Sequence, residues 1–169
     1  MHTAATAKGP AHFALTAYVA QFQDLKASSS STAGEGYEPV RALELDIRLR
    51  GPFSIAFVTA EGEDLRSYYG AGFRVDIPGF LFIGGDVNRY AKAASKRYPV
   101  NTSMYALFIS RETEDSVTNV ATRSVGSELG LTMDIFLFNH FVFATTQASA
   151  VNLSGNLFLS YAFGLGIQF

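Results

Sequence analysis

The chain has 169 residues, enough for one domain, and its 13 basic and 15 acidic residues give no electrostatic argument for nucleic-acid binding. The absence of cysteine excludes a disulfide framework and thiolate metal sites. Charged residues make up only 17% of the chain while hydrophobic residues reach 48%, so part of the protein surface is expected to be apolar.

The N-terminal residues 1–10 show no regular pattern, and we expect a flexible segment there, followed by a single domain over residues 11–169. No apolar run approaches the roughly 18 residues that a membrane helix needs. The dominant hydropathy period is two, which is typical of strands. The first predicted strand is Phe13–Gln23, and the facing of its side chains is weakly defined.

The clearest alternation lies between Val40 and Leu49. Its apolar face contains Leu43, Leu45, Ile47 and Leu49, and its polar face contains Glu44, Asp46 and Arg48. A three-residue turn at 50–52 places Leu49 opposite Phe53, so the apolar face continues onto the next predicted strand.

Two later segments repeat this design. Tyr68–Ile77 carries Arg74 and Asp76 on its polar face, and Val125–Phe138 carries Glu128 and Asp134 on its polar face. A turn around Asn139 and His140 is predicted to bring both Phe141 and Phe143 onto the apolar face of the following strand.

Reading every alternation as a strand gives nine segments. In chain order they are Phe13–Gln23, Val40–Leu49, Phe53–Ala60, Tyr68–Ile77, Phe80–Val87, Met104–Ser110, Val125–Phe138, Phe141–Thr146 and Gly155–Phe169. Phe80–Val87 is the weakest, because glycines at 84 and 85 interrupt it. We therefore predict eight strands; ten would need a further strand near 117–123.

The predicted connections alternate in length. Tight turns are expected at Gly51, Gly79 and Asn139, and longer polar loops at 25–37, 61–67, 111–124 and 147–154. Short turns at one rim and long loops at the other are typical of outer-membrane barrels.

The last strand carries the most specific pattern. Apolar or aromatic residues occupy every second position back from the C-terminus, with Phe158 as the one large apolar residue out of phase: Leu157, Leu159, Tyr161, Phe163, Leu165, Ile167 and Phe169. This resembles the C-terminal strand by which the barrel-assembly machinery recognises outer-membrane proteins. The architecture is similar to small OmpA/OmpX-type barrels. The resemblance implies a closed antiparallel transmembrane β-barrel in a bacterial outer membrane, with periplasmic termini.

In such a barrel the apolar face meets lipid, because lipid offers no hydrogen bonds and the sheet must close on itself. Seven charged residues would then project into the lumen as a structural or pore-lining network: Glu44, Asp46, Arg48, Arg74, Asp76, Glu128 and Asp134. The inverse arrangement, a soluble lipocalin-like barrel with the leucines inside, has the same alternation. The low charge content and the terminal pattern favour the membrane barrel.

The sequence offers little for catalysis. Some small outer-membrane barrels modify lipid A with a histidine and a serine or carboxylate, but His2, His12 and His140 have no such partner at a recognisable spacing. No cluster of histidine, cysteine and carboxylate predicts a metal, and no cofactor motif is present. The basic segment 89–98 would contact lipopolysaccharide if it lies on the outer side.

We therefore expect a non-catalytic outer-membrane protein with a structural or surface-interaction role. Its predicted partners are outer-membrane lipid and lipopolysaccharide, with the barrel-assembly machinery during biogenesis, no nucleic acid, and a monomeric state. A small passive channel for polar or amphipathic solutes is the first alternative. A soluble ligand-binding barrel is the second.

Overall fold

The computed structural model describes residues 13–24, 39–49, 53–62, 65–77, 100–114, 120–138 and 141–169. They form eight strands: β1 Phe13–Asp24, β2 Pro39–Arg48, β3 Phe53–Glu61, β4 Leu65–Ile77, β5 Val100–Glu114, β6 Ala121–Phe138, β7 Val142–Leu153 and β8 Asn156–Gln168. Each strand pairs antiparallel with its neighbour in sequence, and β1 pairs with β8. The predicted closed antiparallel barrel of eight strands is confirmed.

The hairpin between β2 and β3 follows from the sequence pattern. Leu45 lies opposite Phe57 and Ile47 opposite Ile55, and the Leu49 amide donates to the Phe53 carbonyl at 2.9 Å. This is the register predicted for a turn at 50–52, because only that register keeps the apolar side chains on one face.

Closure of the barrel joins the two ends of the described chain. The amide groups of Phe13 and Phe169 each donate to the other residue's carbonyl, at 3.0 and 2.9 Å, and their rings stack at 6.1 Å. We call this edge, where β1 begins and β8 ends, the terminal rim, and the other edge the opposite rim.

Several predicted connections were wrong, since the strands extend further than their hydropathy suggests. The predicted loop 147–154 is mostly strand, because β7 runs to Leu153 and only Ser154 and Gly155, both at positive φ, form the turn. Connections 62–64 and 115–120 are likewise shorter than the predicted loops 61–67 and 111–124. Alternation is reversed there, because inner positions such as Leu65, Val151 and Leu153 are apolar and outer positions such as Arg66 and Asn152 are polar.

The predicted tight turn at Gly79 lies outside the described residues. Strand β4 pairs with β5, and the connection between them spans 22 residues, 78–99. This long connection is on the terminal rim, so the predicted segregation of short turns and long loops is also wrong. The predictions for Phe80–Val87, the basic segment 89–98 and residues 1–10 lie outside the described residues. Among those described, no helix is long and apolar enough to cross a membrane.

Side chains alternate as predicted along most strands, with large apolar groups outside. Phe108 is 79% exposed and Phe163 69%, whereas the neighbouring inner residues Leu107 and Ala162 are buried. Phe143 was predicted outside but is buried inside. A register shift between Phe136 and Phe138 adds one residue to β6 at this hairpin, which reverses the side on which Phe143 falls.

Candidate functional site: the barrel interior

The terminal-rim half of the interior contains a charged network: Glu44, Asp46, Arg48, Arg74, Asp76 and Asp134. Strands β2, β4 and β6 supply these side chains at inward positions near their terminal-rim ends. The structure therefore brings together six of the seven predicted lumen residues.

Arg74 is the centre of the charged network. One guanidinium nitrogen donates to Asp46 at 2.6 Å and the other pairs with Glu44, whose second oxygen accepts from the Gln147 amide at 3.1 Å. All three charged side chains are at least 92% buried. A buried guanidinium needs such paired carboxylates, since its desolvation would otherwise be very costly.

A second ion pair lies closer to the rim. Arg48 donates to one oxygen of Asp76 at 2.5 Å, and the Asn101 amide donates to the other at 3.1 Å. These side chains are partly exposed, with Arg48 at 30% and Asp76 at 20%. This pair is therefore expected to contribute less to stability than the buried one.

The seventh predicted residue, Glu128, lies apart from the charged network. It is buried and accepts three hydroxyl hydrogen bonds, from Tyr68 at 2.6 Å, Ser149 at 2.7 Å and Tyr105 at 2.8 Å. No ion pair holds it among the described residues. We call these four residues the tyrosine cluster; the donors were not predicted, because hydroxyl-bearing side chains give no periodic signal of their own.

Apolar side chains fill much of the opposite-rim half of the interior, where they surround the tyrosine cluster. The buried apolar side chains form an apolar cluster: Val40, Val58, Leu65, Leu107, Ile109, Val151 and Leu153. Phe158, the residue out of phase in the last strand, packs against this cluster. The prediction of a lumen filled by a polar network is thus only partly confirmed, because apolar side chains share the opposite-rim half with Glu128.

This division limits what the interior can do chemically. A cavity of about 50 Å³ lies beside the charged network at the terminal rim and has room for several water molecules. Among the described residues, the apolar cluster and the tyrosine cluster lie together between the charged network and the opposite rim. No group of three or more histidine, cysteine, aspartate or glutamate residues in this part of the chain is arranged to hold a metal directly.

The residues implied as an assembly signal lie along β8 at the outer face. Phe163 and Leu165 are 69% and 60% exposed, and Phe169 is 60% exposed at the terminal rim. Histidines 2, 12 and 140, considered for catalysis, lie outside the described residues.

No protein-family model matches this chain, and no curated protein sequence matches it. Solved structures do share its fold. Neisserial surface protein A is 12% identical, with a TM-score of 0.57 over 96% of this chain and 100% of that protein. Ail, the attachment invasion locus protein of Yersinia pestis, solved in complex with the heparin analogue sucrose octasulfate, is 9% identical, with a TM-score of 0.55 over 93% and 96% of the two chains.

Proposed function

We propose that this chain is an integral outer-membrane protein with a structural or surface-interaction role and no catalytic activity. The observation that carries the proposal is the direction of its side chains. Leu131, Phe163 and Leu165 are 47 to 69% exposed around the barrel, whereas Glu44 and Asp46 inside are 3 and 6% exposed. A soluble barrel would have the reverse arrangement, since exposed apolar patches of this extent require a partner or lipid.

Lipid insertion can be tested with tryptophan reporters, because the chain contains no tryptophan. We expect bromine atoms on lipid acyl chains to quench the fluorescence of Leu45→Trp and Leu131→Trp strongly, since both side chains point outward near mid-strand. Asn156→Trp, exposed at the opposite rim, is the control and should be quenched weakly. Reporters at 45 and 131 that are shielded from brominated lipid would contradict the proposal.

Charge at the opposite rim supports an orientation with periplasmic termini. Arg41, Arg66 and Arg123 are exposed there; Arg66 pairs with Glu112 at 3.6 Å, and Glu61 lies opposite Arg41 on the neighbouring strand. Guanidinium groups bind phosphate in a bidentate manner, so we propose that this rim contacts lipopolysaccharide phosphates in the outer leaflet. Connection lengths provide no equivalent argument, because the longest connection is on the terminal rim.

Cysteine labelling on intact cells tests this orientation. We expect Asn156→Cys, beside the turn of the opposite rim, to react with a membrane-impermeant maleimide on whole cells. Leu49→Cys, next to the terminal rim, should react only after the outer membrane is permeabilised. The reverse order of labelling would show that the termini face outward.

The apolar cluster supports a closed barrel over the passive-channel alternative. Ions would have to cross a layer that includes Val40, Leu107 and Val151, where the polar groups of Glu128, Tyr68, Tyr105 and Ser149 are hydrogen-bonded to one another. We expect refolded protein in planar lipid bilayers to show no stable conductance steps. Reproducible single-channel steps that a Leu107→Trp substitution abolishes would favour the channel.

The proposal includes one further partner and one assembly state. The alternating apolar face of β8 supports recognition by the barrel-assembly machinery during biogenesis. The closed barrel, in which every strand has two neighbours, supports a monomer, since it leaves no open sheet edge for a second copy.

A further inference from the structure

Strand β6 extends further at the opposite rim than its neighbour β7. Its pairing with β7 begins at Gly126, which lies opposite Leu153, whereas its pairing with β5 continues to Ala121. After Leu153 the chain turns into β8, so no described strand lies beside residues 121–124 on the β7 side. The hairpin of β5 and β6 therefore projects beyond the closed barrel with one side open.

The open side of β6 presents unpaired backbone groups. The Val125 carbonyl accepts from the Ser154 amide at 3.2 Å, so the backbone groups of Val125 point away from β5. In an antiparallel ladder this direction alternates from residue to residue, and the N–H and C=O groups of Arg123 and Ala121 therefore point the same way. Among the described residues, no backbone group pairs with them on that side. We call residues 121–125 the open edge of β6; it is about 16 Å long.

The open edge of β6 lies in water and not in lipid. Strand β6 has 18 residues, whereas a tilted strand crosses a bilayer with about 9 to 11. Counted from Phe138 at the terminal rim, a crossing of that length is complete before the chain reaches Val125. The side chains of Thr122, Arg123 and Val125 are exposed as well. The edge is therefore accessible to a partner in solution.

We propose that the open edge of β6 binds an extended segment of another protein as an added strand, with an acidic residue of that segment facing Arg123. Strand addition needs free main-chain donors and acceptors, which Arg123 and Ala121 supply. The edge contains no proline and its register with β5 is continuous, so nothing in its backbone interrupts an added ladder. This inference rests on the proposed surface-interaction role and gives it a location.

Arg123 defines the charge that the partner segment needs. Its Nε donates to Ser110 at 3.1 Å, and no ion pair engages it among the described residues. Glu112 lies opposite Arg123 on β5 but pairs with Arg66 at 3.6 Å. Opposite charges on directly facing residues stabilise strand pairing, and like charges weaken it. A carboxylate facing Arg123 is thus favoured, and Val125, 61% exposed on the same outer face, favours an apolar residue two positions away.

The test measures binding of a fluorescein-labelled peptide to the refolded protein in detergent micelles, followed by fluorescence anisotropy. In this peptide threonine alternates with valine around one central glutamate, and both termini are capped. We expect saturable one-to-one binding that Arg123→Glu weakens about tenfold, and that a peptide with a central lysine restores in this variant. Arg41→Glu, at the same rim but on a strand paired on both sides, is the matched control and should leave the affinity unchanged.

Backbone readouts separate strand addition from adsorption of side chains. N-methylation of the glutamate amide and of every second amide from it should abolish binding, because these N–H groups face β6. Hydrogen exchange of the Arg123 amide should slow when the peptide binds. The proposal is overturned if the Arg123 and Ala121 amides are already protected in the free protein, if N-methylation leaves binding unchanged, or if the wild type and Arg123→Glu bind equally. These outcomes do not concern lipid insertion, which the tryptophan reporters test separately.

Discussion

Replacing Arg74 with methionine should destabilise the barrel by about 3 to 5 kcal/mol, the usual cost of leaving buried charges without their partner. Methionine keeps an unbranched chain of similar length but removes both donors to Glu44 and Asp46. It also removes the cation that lies 5.9 Å from the centre of the Tyr105 ring. The free energy of unfolding, measured by urea titration in lipid vesicles, gives the size of the loss.

Two matched variants assign this loss to uncompensated charge. Arg123→Met removes an exposed arginine on the outer face, where substitutions usually change stability by about 0.5 kcal/mol or less. Adding Glu44→Gln and Asp46→Asn to Arg74→Met should recover much of the stability, because no buried carboxylate then lacks its cation. If Arg74→Met alone lowers the free energy of unfolding by less than about 1 kcal/mol, Arg74 is not the centre of the charged network.

The sequence correctly predicted which side chains point inward and which point outward in strands whose two faces differ strongly in polarity. In β2, leucines and isoleucine alternate with Glu44, Asp46 and Arg48, so a one-residue slip would place charge in contact with lipid, and only one register is tolerable. In β7 the outer residues are mainly alanine and threonine, and the inner ones include Gln147 and Ser149. With little contrast between its faces, this strand was predicted to end too early.

The interior was less predictable than the surface. Charged residues at inward positions could be identified in β2, β4 and β6, but their partners lie on strands distant in sequence, as with Gln147 and Glu44. The apolar cluster was missed because an inward Val40 or Ile109 has the hydropathy expected of a lipid-facing residue. The cavity beside Asp46 and Asp134 depends on closure of the barrel, and alternation along single strands contains no information about it.

Gly72→Ala should be among the most damaging single-methyl additions in the chain, with a loss of about 3 kcal/mol or a failure to refold. Gly72 pairs with Leu107 of β5. A Cβ atom on Gly72 would collide with the Ala106 carbonyl oxygen and lie 2.8 Å from the Leu107 Cα atom. These are backbone atoms of a hydrogen-bonded neighbour, so they cannot move aside without breaking the pairing of β4 and β5.

Gly70→Ala is the control, because Gly70 lies on the same strand and the same inner face two residues earlier. There a Cβ atom would have a side-chain methyl of Ile109, at 3.3 Å, as its nearest neighbour. A small movement of that side chain relieves the contact, and alanine restricts the unfolded chain more than glycine, so the net change should stay within about 1 kcal/mol. The folded fraction on unheated gels and urea unfolding compare the two variants. Equal losses of stability in the two variants would mean that the β5 backbone does not approach Gly72 as closely as the structure shows.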